Sequence, residues 1–325
     1  MKHIPEYKLD VISEENFLEE IKVIEEKLEK IKSSGKYKAF DNTELYYEYF
    51  LSENSTASVV IVHGLSEFTK KFYEFIYYLL NQGYNVFIFD QRCHGLSDRL
   101  TDNIDLLHVD KTSDYVKDLT QFIDEIVVKV EDKPIYLYAH SMGGATSALY
   151  LSKNSSKIQK AILSVPMFEP TVDVVPMPIA RMSAKFGKVF CGSKKKFFMT
   201  SEFDPDVKYS EKHGTSESRF KHNMNLRNGN VNYQSTPMSF GWVDFSLNVG
   251  KKILRNKTIK NIKTPILLIS ADKDKTVNID KHYKFSQKCE NCQLIRMENS
   301  GHALLANNNE TIHHVMDTIF SFYQS

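Results

Sequence analysis

The sequence predicts an α/β fold: a mostly parallel central sheet with helices on both faces and one inserted, mainly helical segment. Three observations predict it. Short continuous apolar runs recur, among them ASVVIVHG (57–64), YNVFIFD (84–90) and TPILLISAD (264–272). Runs of this kind are strands buried on both faces. Stretches with apolar residues at helical spacing lie between them, so strand and helix alternate. The alternation fails once, between about 167 and 245, and then resumes.

Along the chain, ISEENFLEEIKVIEEKLEKIKS (12–33) carries apolar residues at helical spacing among many Glu and Lys. It reads as one amphipathic helix lying on the domain, ended by Ser34-Gly35. KYKAF and ELYYEYF flank Asp41-Asn42-Thr43 and read as a hairpin. Next come a strand at 57–64, a helix at 68–83 ended by Gly83, and a strand at 84–90. A helix at 113–130 leads to PIYLYAHS (134–141), a strand, and then MGGATSALYLSK (142–153), a helix. IQKAILSVP (158–166) is a further strand. After the interruption a strand lies at 264–272, a helix near 278–288, a strand at 293–298 and a final helix from about 309 to 323. The expected organisation is an N-terminal helix (1–35), a core in two pieces (36–166 and 246–325) and an inserted cap (167–245).

Bulk properties narrow the function. The 325 residues have a net charge of +1 and 26% charged residues. No strong field therefore favours nucleic acid or an anionic membrane. No uncharged apolar run is long enough to span a bilayer. The N-terminus lacks the apolar stretch of a signal peptide, so a cytoplasmic protein is expected. Four cysteines in a chain this size are expected to stay reduced. Cys289-Glu290-Asn291-Cys292 is a C-x-x-C, but no second pair completes a zinc site.

The chemistry starts at Tyr138–Thr146, YAHSMGGAT. Ser141 sits where a strand turns into a helix. Such a turn strains its central residue and exposes the side chain above the sheet. The positions two before and two after must be small, and they are Ala139 and Gly143. A serine hydroxyl needs a base to take its proton and an acid to orient that base. His302 follows the last strand, after Ser300-Gly301, and is the expected base. His108, His213, His222, His282, His313 and His314 read as surface residues. Asp272 and Asp274 both follow the next-to-last strand. Asp274 is preferred, because it leads into the loop Lys275-Thr276-Val277 and reaches further over the sheet edge. The order Ser141, Asp274, His302 is that of an α/β-hydrolase. Backbone N–H groups must face the developing oxyanion. Met142 and Leu65 are the expected donors, with Gly64 permitting close backbone approach. His63 and Gly64, with Met167 and Phe168, are candidate substrate contacts. His63 is given no part in proton transfer.

These stretches resemble the α/β-hydrolase family, in its branch of monoacylglycerol lipases and lysophospholipases (serine aminopeptidase S33-type hydrolases), and most of all the bacterial lysophospholipase L2 group. VVIVHGLSE, GYNVFIFDQRCHGLSDRL, IYLYAHSMGGATS, SVPMFEP, TPMSFGWV and SGHALL carry the resemblance over most of 45–325. Ala139 in the elbow matches the lysophospholipase L2 side. Cys93 stands where many relatives have glycine, and Ser270-Ala271 replaces the usual glycine before the acid. The resemblance implies a serine ester hydrolase acting on a single-acyl lipid, with general carboxylesterase or aminopeptidase activity as alternatives. It implies no metal and no organic cofactor. The expected partner is a small lipid or ester, with no nucleic acid and at most transient contact with a membrane surface. It also implies that residues 167–190, rich in Met, Phe, Val and Pro, place apolar side chains over the serine. Arg181, Arg219 and Lys194–Lys196 are then candidates to meet a phosphate head group, although the lysine run also reads as a solvated face.

Overall fold

The computed structural model describes residues 11–172, 175–211 and 215–325. Its centre is an eight-stranded sheet in the order β1-β2-β4-β3-β5-β6-β7-β8. The strands are β1 (Ser33–Lys38), β2 (Glu44–Phe50), β3 (Ala57–Val62), β4 (Tyr84–Phe89), β5 (Ile135–His140), β6 (Lys160–Ser164), β7 (Ile266–Ala271) and β8 (Cys292–Met297). From β4 to β8 every pairing is parallel, while the hairpin β1–β2 adds an antiparallel edge. β3, β4 and β7 are buried at every residue, as their unbroken apolar runs require.

Alternate residues of each strand feed two cores. Val60, Val62, Phe87 and Phe89 face one side, against α3 (Thr112–Phe122), α4 (Met142–Asn154), α7 (Phe240–Ile253) and α8 (Asp280–Ser286). Val59, Ile61, Val86 and Ile88 face the other, against α1 (Phe17–Ile31), α2 (Tyr73–Asn81) and α9 (Asn309–Gln324). The inserted region contributes α5 (Met177–Phe190) and α6 (Glu217–Gly229).

Three expectations shift. α1 is not merely laid on the domain. Phe17, Ile21 and Leu28 are buried in the second core, each such burial worth about 1.5–3 kcal/mol. The chain enters the sheet at Ser33, so Ser34-Gly35 is strand and does not end the helix. The helix at 113–130 is interrupted by a π turn at Ile123–Val127. The boundary at 245 falls inside α7, which begins at Phe240 because the Ser239 hydroxyl accepts the Trp242 N–H at 3.1 Å.

The sheet order places the site. After β3 the chain crosses to β4 on one side, and β5 then lies on the other side of β3. The loops leaving β3 and β5 therefore part at a switch point, where open α/β sheets form a crevice. Gly64 and Ser141 are on those two loops.

Candidate active site

Ser141 links β5 directly to α4 with φ 49° and ψ −113°, a left-handed backbone that a non-glycine residue adopts only under strain. Its N–H donates to Ser164 O at 3.0 Å, and its C=O accepts from Met167 N at 2.8 Å. The end of β6 thus holds the turn from both sides. A Cβ on Gly143 would lie 2.1 Å from Val62 O, so α4 starts in contact with the β3 backbone and only glycine fits. Ala139 is fully buried in β5 without such crowding.

His302 Nε2 lies 2.8 Å from Ser141 Oγ, and His302 Nδ1 lies 2.7 Å from Asp274 Oδ2. Asp274 Oδ1 accepts the N–H groups of Thr276 and Val277 at 2.8 and 3.0 Å. Burial would raise the Asp274 carboxyl, but the hydrogen bond and charge of His302 and these two amides hold it below its ordinary value. Burial lowers the His302 imidazole, and the neighbouring His140 adds to this against the opposing pull of Asp274. His302 is therefore neutral at pH 7 and able to accept a proton. Asp272 faces elsewhere: its Oδ1 accepts Ser300 N at 3.2 Å, and its Oδ2 lies 3.6 Å from Arg296.

Met142 opens α4, so its N–H has no partner inside the helix. Gly64 is wedged beside it. A Cβ there would lie 3.1 Å from Ser141 Cβ and 2.9 Å from Glu67 Oε2. Leu65 follows directly, which brings the two loops together as the sequence predicts.

Three of the four candidate substrate contacts are not open to a ligand. His63 is fully buried; its Nδ1 bonds Gly64 O at 2.7 Å, and its Nε2 accepts Gln91 N at 2.9 Å. Burial pushes this imidazole down to about 4, so it is a neutral brace for the loop. Phe168 turns into the core against Phe285 and His282. Met167 is 4% exposed and meets Ser141 through its backbone. Gly64 alone lies at the open face of the turn. The histidines also need correction. His108 and His282 are fully buried, and His282 is bonded to Ser270 Oγ and Pro166 O. His222 lies against Glu25 and Phe17. His213 lies outside the described residues.

Two residues were missed. Glu67, 6% exposed, accepts Gly64 N at 2.5 Å, and it meets His140 Nδ1 at 2.8 Å and Lys71 Nζ at 2.7 Å. His140 Nε2 lies 3.3 Å from His302 O. Glu67 thereby ties the loop carrying Leu65 to the residue before the serine, and His140 ties both to the histidine loop. Burial opposes ionisation of Glu67, yet the charges of His140 and Lys71 hold it well below its ordinary value. The signal available in sequence was the acid four residues after His63 and the histidine beside Ser141. Neither indicates that the two side chains meet.

The phosphate candidates are also engaged. Arg219 is buried over Phe17 and paired with Glu74 at 2.6 Å. Arg181 pairs with Glu169 at 2.8 Å, and Lys196 pairs with Glu202. Lys194 and Lys195 remain exposed. Cys289 and Cys292 are free thiols, and burial pushes the Cys292 thiol up to about 12. Among the described residues no helix is long and apolar enough to cross a membrane.

The pattern of the family described as Serine aminopeptidase, S33 matches residues 53–310, which include the whole of this constellation. The chain belongs to that family. Among S33 relatives it is 25% identical to a probable lysophospholipase L2 of Haemophilus influenzae, over 86% of this chain and 88% of that one. It is 29% identical to monoglyceride lipase of Saccharomyces cerevisiae over a shorter stretch, 40% of this chain and 43% of that one. A solved structure of a soluble variant of the yeast monoglyceride lipase, in complex with a substrate analogue, superposes with a TM-score of 0.73 at 18% identity, covering 90% of this chain and 94% of that one. The S33 chain thus has the α/β-hydrolase fold.

Proposed function

We propose that this protein is a serine hydrolase that cleaves the carboxylic ester of a single-acyl lipid, a lysophospholipid or a monoacylglycerol. The observation that carries the reading is His302, whose two ring nitrogens lie 2.8 Å from Ser141 Oγ and 2.7 Å from Asp274 Oδ2. Ser141 Oγ attacks the ester carbonyl as His302 Nε2 takes its proton. Asp274 keeps the Nδ1 proton in place and stabilises the imidazolium. The N–H groups of Leu65 and Met142 receive the oxyanion, each such donor contributing about 10²–10³ in kcat. His302 then protonates the departing alcohol. Water, activated by the same imidazole, releases the fatty acid from the acyl-enzyme. No step needs a metal or an organic cofactor.

The names of the relatives support the lipid ester as substrate. The family description favours a second reading, a peptidase acting on substrates with a free amine. That reading needs a carboxylate for the amine, and Glu67, the carboxylate beside the oxyanion loop, already serves Gly64, His140 and Lys71. In the ester reading, residues 167 to about 239 act as a cap. The segment leaves the elbow at Met167, and Pro170 bridges Val277 near the acid loop.

A panel of lysophospholipids, monoacylglycerols, p-nitrophenyl esters and aminoacyl arylamides tests the substrate. The lipid esters are expected to give the highest kcat/KM, and a preference for the arylamides would overturn the reading. Fluorophosphonate should label the wild type and not Ser141→Ala. Labelling retained in that variant would remove Ser141 from the mechanism.

A further inference from the structure

We propose that the outward face of α5, with the Phe197–Met199 segment after it, is a docking face for an anionic lipid bilayer. The packing of α5 is the starting point. It turns its small residues inward: Ala180, Ala184 and Gly187 are buried, and a Cβ on Gly187 would lie 2.1 Å from the Phe240 ring at the start of α7. Its bulky apolar residues point to water. Ile179, Met182, Phe186, Val189 and Phe190 are between 48% and 70% exposed. They recur at three- and four-residue spacing, so they form one stripe. The Phe186 and Phe190 rings lie 4.1 Å apart within it.

Phe198 and Met199 extend the patch, at 73% and 50% exposure. The Phe198 ring is 6.5 Å from the Phe240 ring on which Gly187 packs, so this segment flanks α5. Among the described residues, seven of the fifteen large exposed hydrophobics fall between 179 and 199. That concentration separates this face from the scattered apolar exposure of an ordinary surface.

Charge selects the occupant. Residues 175–200 contain Arg181, Lys185, Lys188, Lys194, Lys195 and Lys196 and no Asp or Glu. Lys185, Lys194 and Lys195 are exposed beside the stripe. A helix with a bulky apolar face and flanking cations suits the boundary of an anionic bilayer, where side chains enter the acyl region and lysines meet lipid phosphates. A second copy suits it poorly, because a two-fold contact would bring the same cations together. The location also serves the site. Met177, at the start of α5, shares a groove of about 440 Å³ with Asp274 and Glu169. The inference deepens the lipid-ester reading but does not need catalysis to be tested.

The test is flotation of the full-length protein with vesicles of phosphatidylcholine mixed with phosphatidylglycerol, and with phosphatidylcholine alone. The wild type and Ser141→Ala are both expected to float with the mixed vesicles, so a failed hydrolase assignment leaves this result untouched. The paired variant Phe186→Ser with Phe190→Ser should bind at least about tenfold more weakly. Lys194→Glu with Lys195→Glu should weaken binding by about fivefold for each charge lost at low salt. Both pairs are exposed, so melting temperature and hydrolysis of a short water-soluble p-nitrophenyl ester should not change. The proposal is overturned if the wild type stays with the soluble fraction, if it binds both vesicles equally, or if the phenylalanine variant floats as well as wild type. It is also overturned if sedimentation shows a dimer that the phenylalanine variant dissociates, since the face then belongs to a second copy.

Discussion

Gly143→Ala probes whether the elbow depends on backbone contact between α4 and β3. The added Cβ would lie 2.1 Å from Val62 O and 2.6 Å from His63 O. Both are backbone atoms at the end of a fully buried strand, so neither can swing aside. Bringing the nearer contact out to about 3 Å requires α4 to move by about 1 Å. That movement carries the Met142 N–H and Ser141 Oγ away from Leu65 and His302. A misplacement of that size costs about 100-fold in rate, and the overpacking costs about 1–3 kcal/mol of stability. The assay is kcat on a soluble p-nitrophenyl ester, with urea unfolding in parallel. Ala139→Gly is the control. It restores the commoner motif at a position without crowding, and should leave kcat unchanged while costing about 0.5–1 kcal/mol. An unchanged kcat in Gly143→Ala, or a large kcat effect in Ala139→Gly, would refute the argument.

Asp274→Asn should lower kcat by about 10⁴, whereas Asp272→Asn should leave it near wild type; the reverse order in steady-state assays would move the acid to Asp272. The rate needs neutral His302, and burial places its pKa below the ordinary 6.5. The acid limb of the kcat/KM–pH profile should therefore fall as pH drops through a midpoint below 6.5, and a midpoint above 7 would contradict the site's electrostatics. Glu67→Gln removes the charge that holds Gly64 and His140 together. It should lower kcat by about 10- to 100-fold, since misplaced oxyanion donors act on the transition state, with KM little changed. A rise in KM alone would show that Glu67 serves binding and not the oxyanion loop.

Much of the fold was legible because buried parallel strands are written as unbroken apolar runs. β3, β4, β5, β6, β7 and β8 lie within a few residues of where those runs place them. The ends were less legible. Ser33–Gly35 reads as a helix stop, yet it pairs with Tyr47–Tyr49, a long-range choice that local propensity cannot register. Ser141, Asp274 and His302 were legible for a different reason: each follows a strand at the same end of the sheet, and in a parallel sheet those ends converge. Phe168 and His63 were misjudged because position after a strand does not say whether a side chain turns up to the crevice or down into the core. The apolar residues of 167–190 were misjudged similarly. Periodicity identifies a stripe on α5 but not whether the stripe or the small residues face inward.

Sequence by itself determined the order of strand and helix, the single interruption, and which serine, histidine and pair of aspartates stand at strand ends. These follow from local patterning and chain order. Tertiary structure alone decided between Asp272 and Asp274, brought Glu67 and His140 together, and turned α5 outward. Each of those depends on where side chains separated by tens of residues meet, and no local pattern encodes such distances.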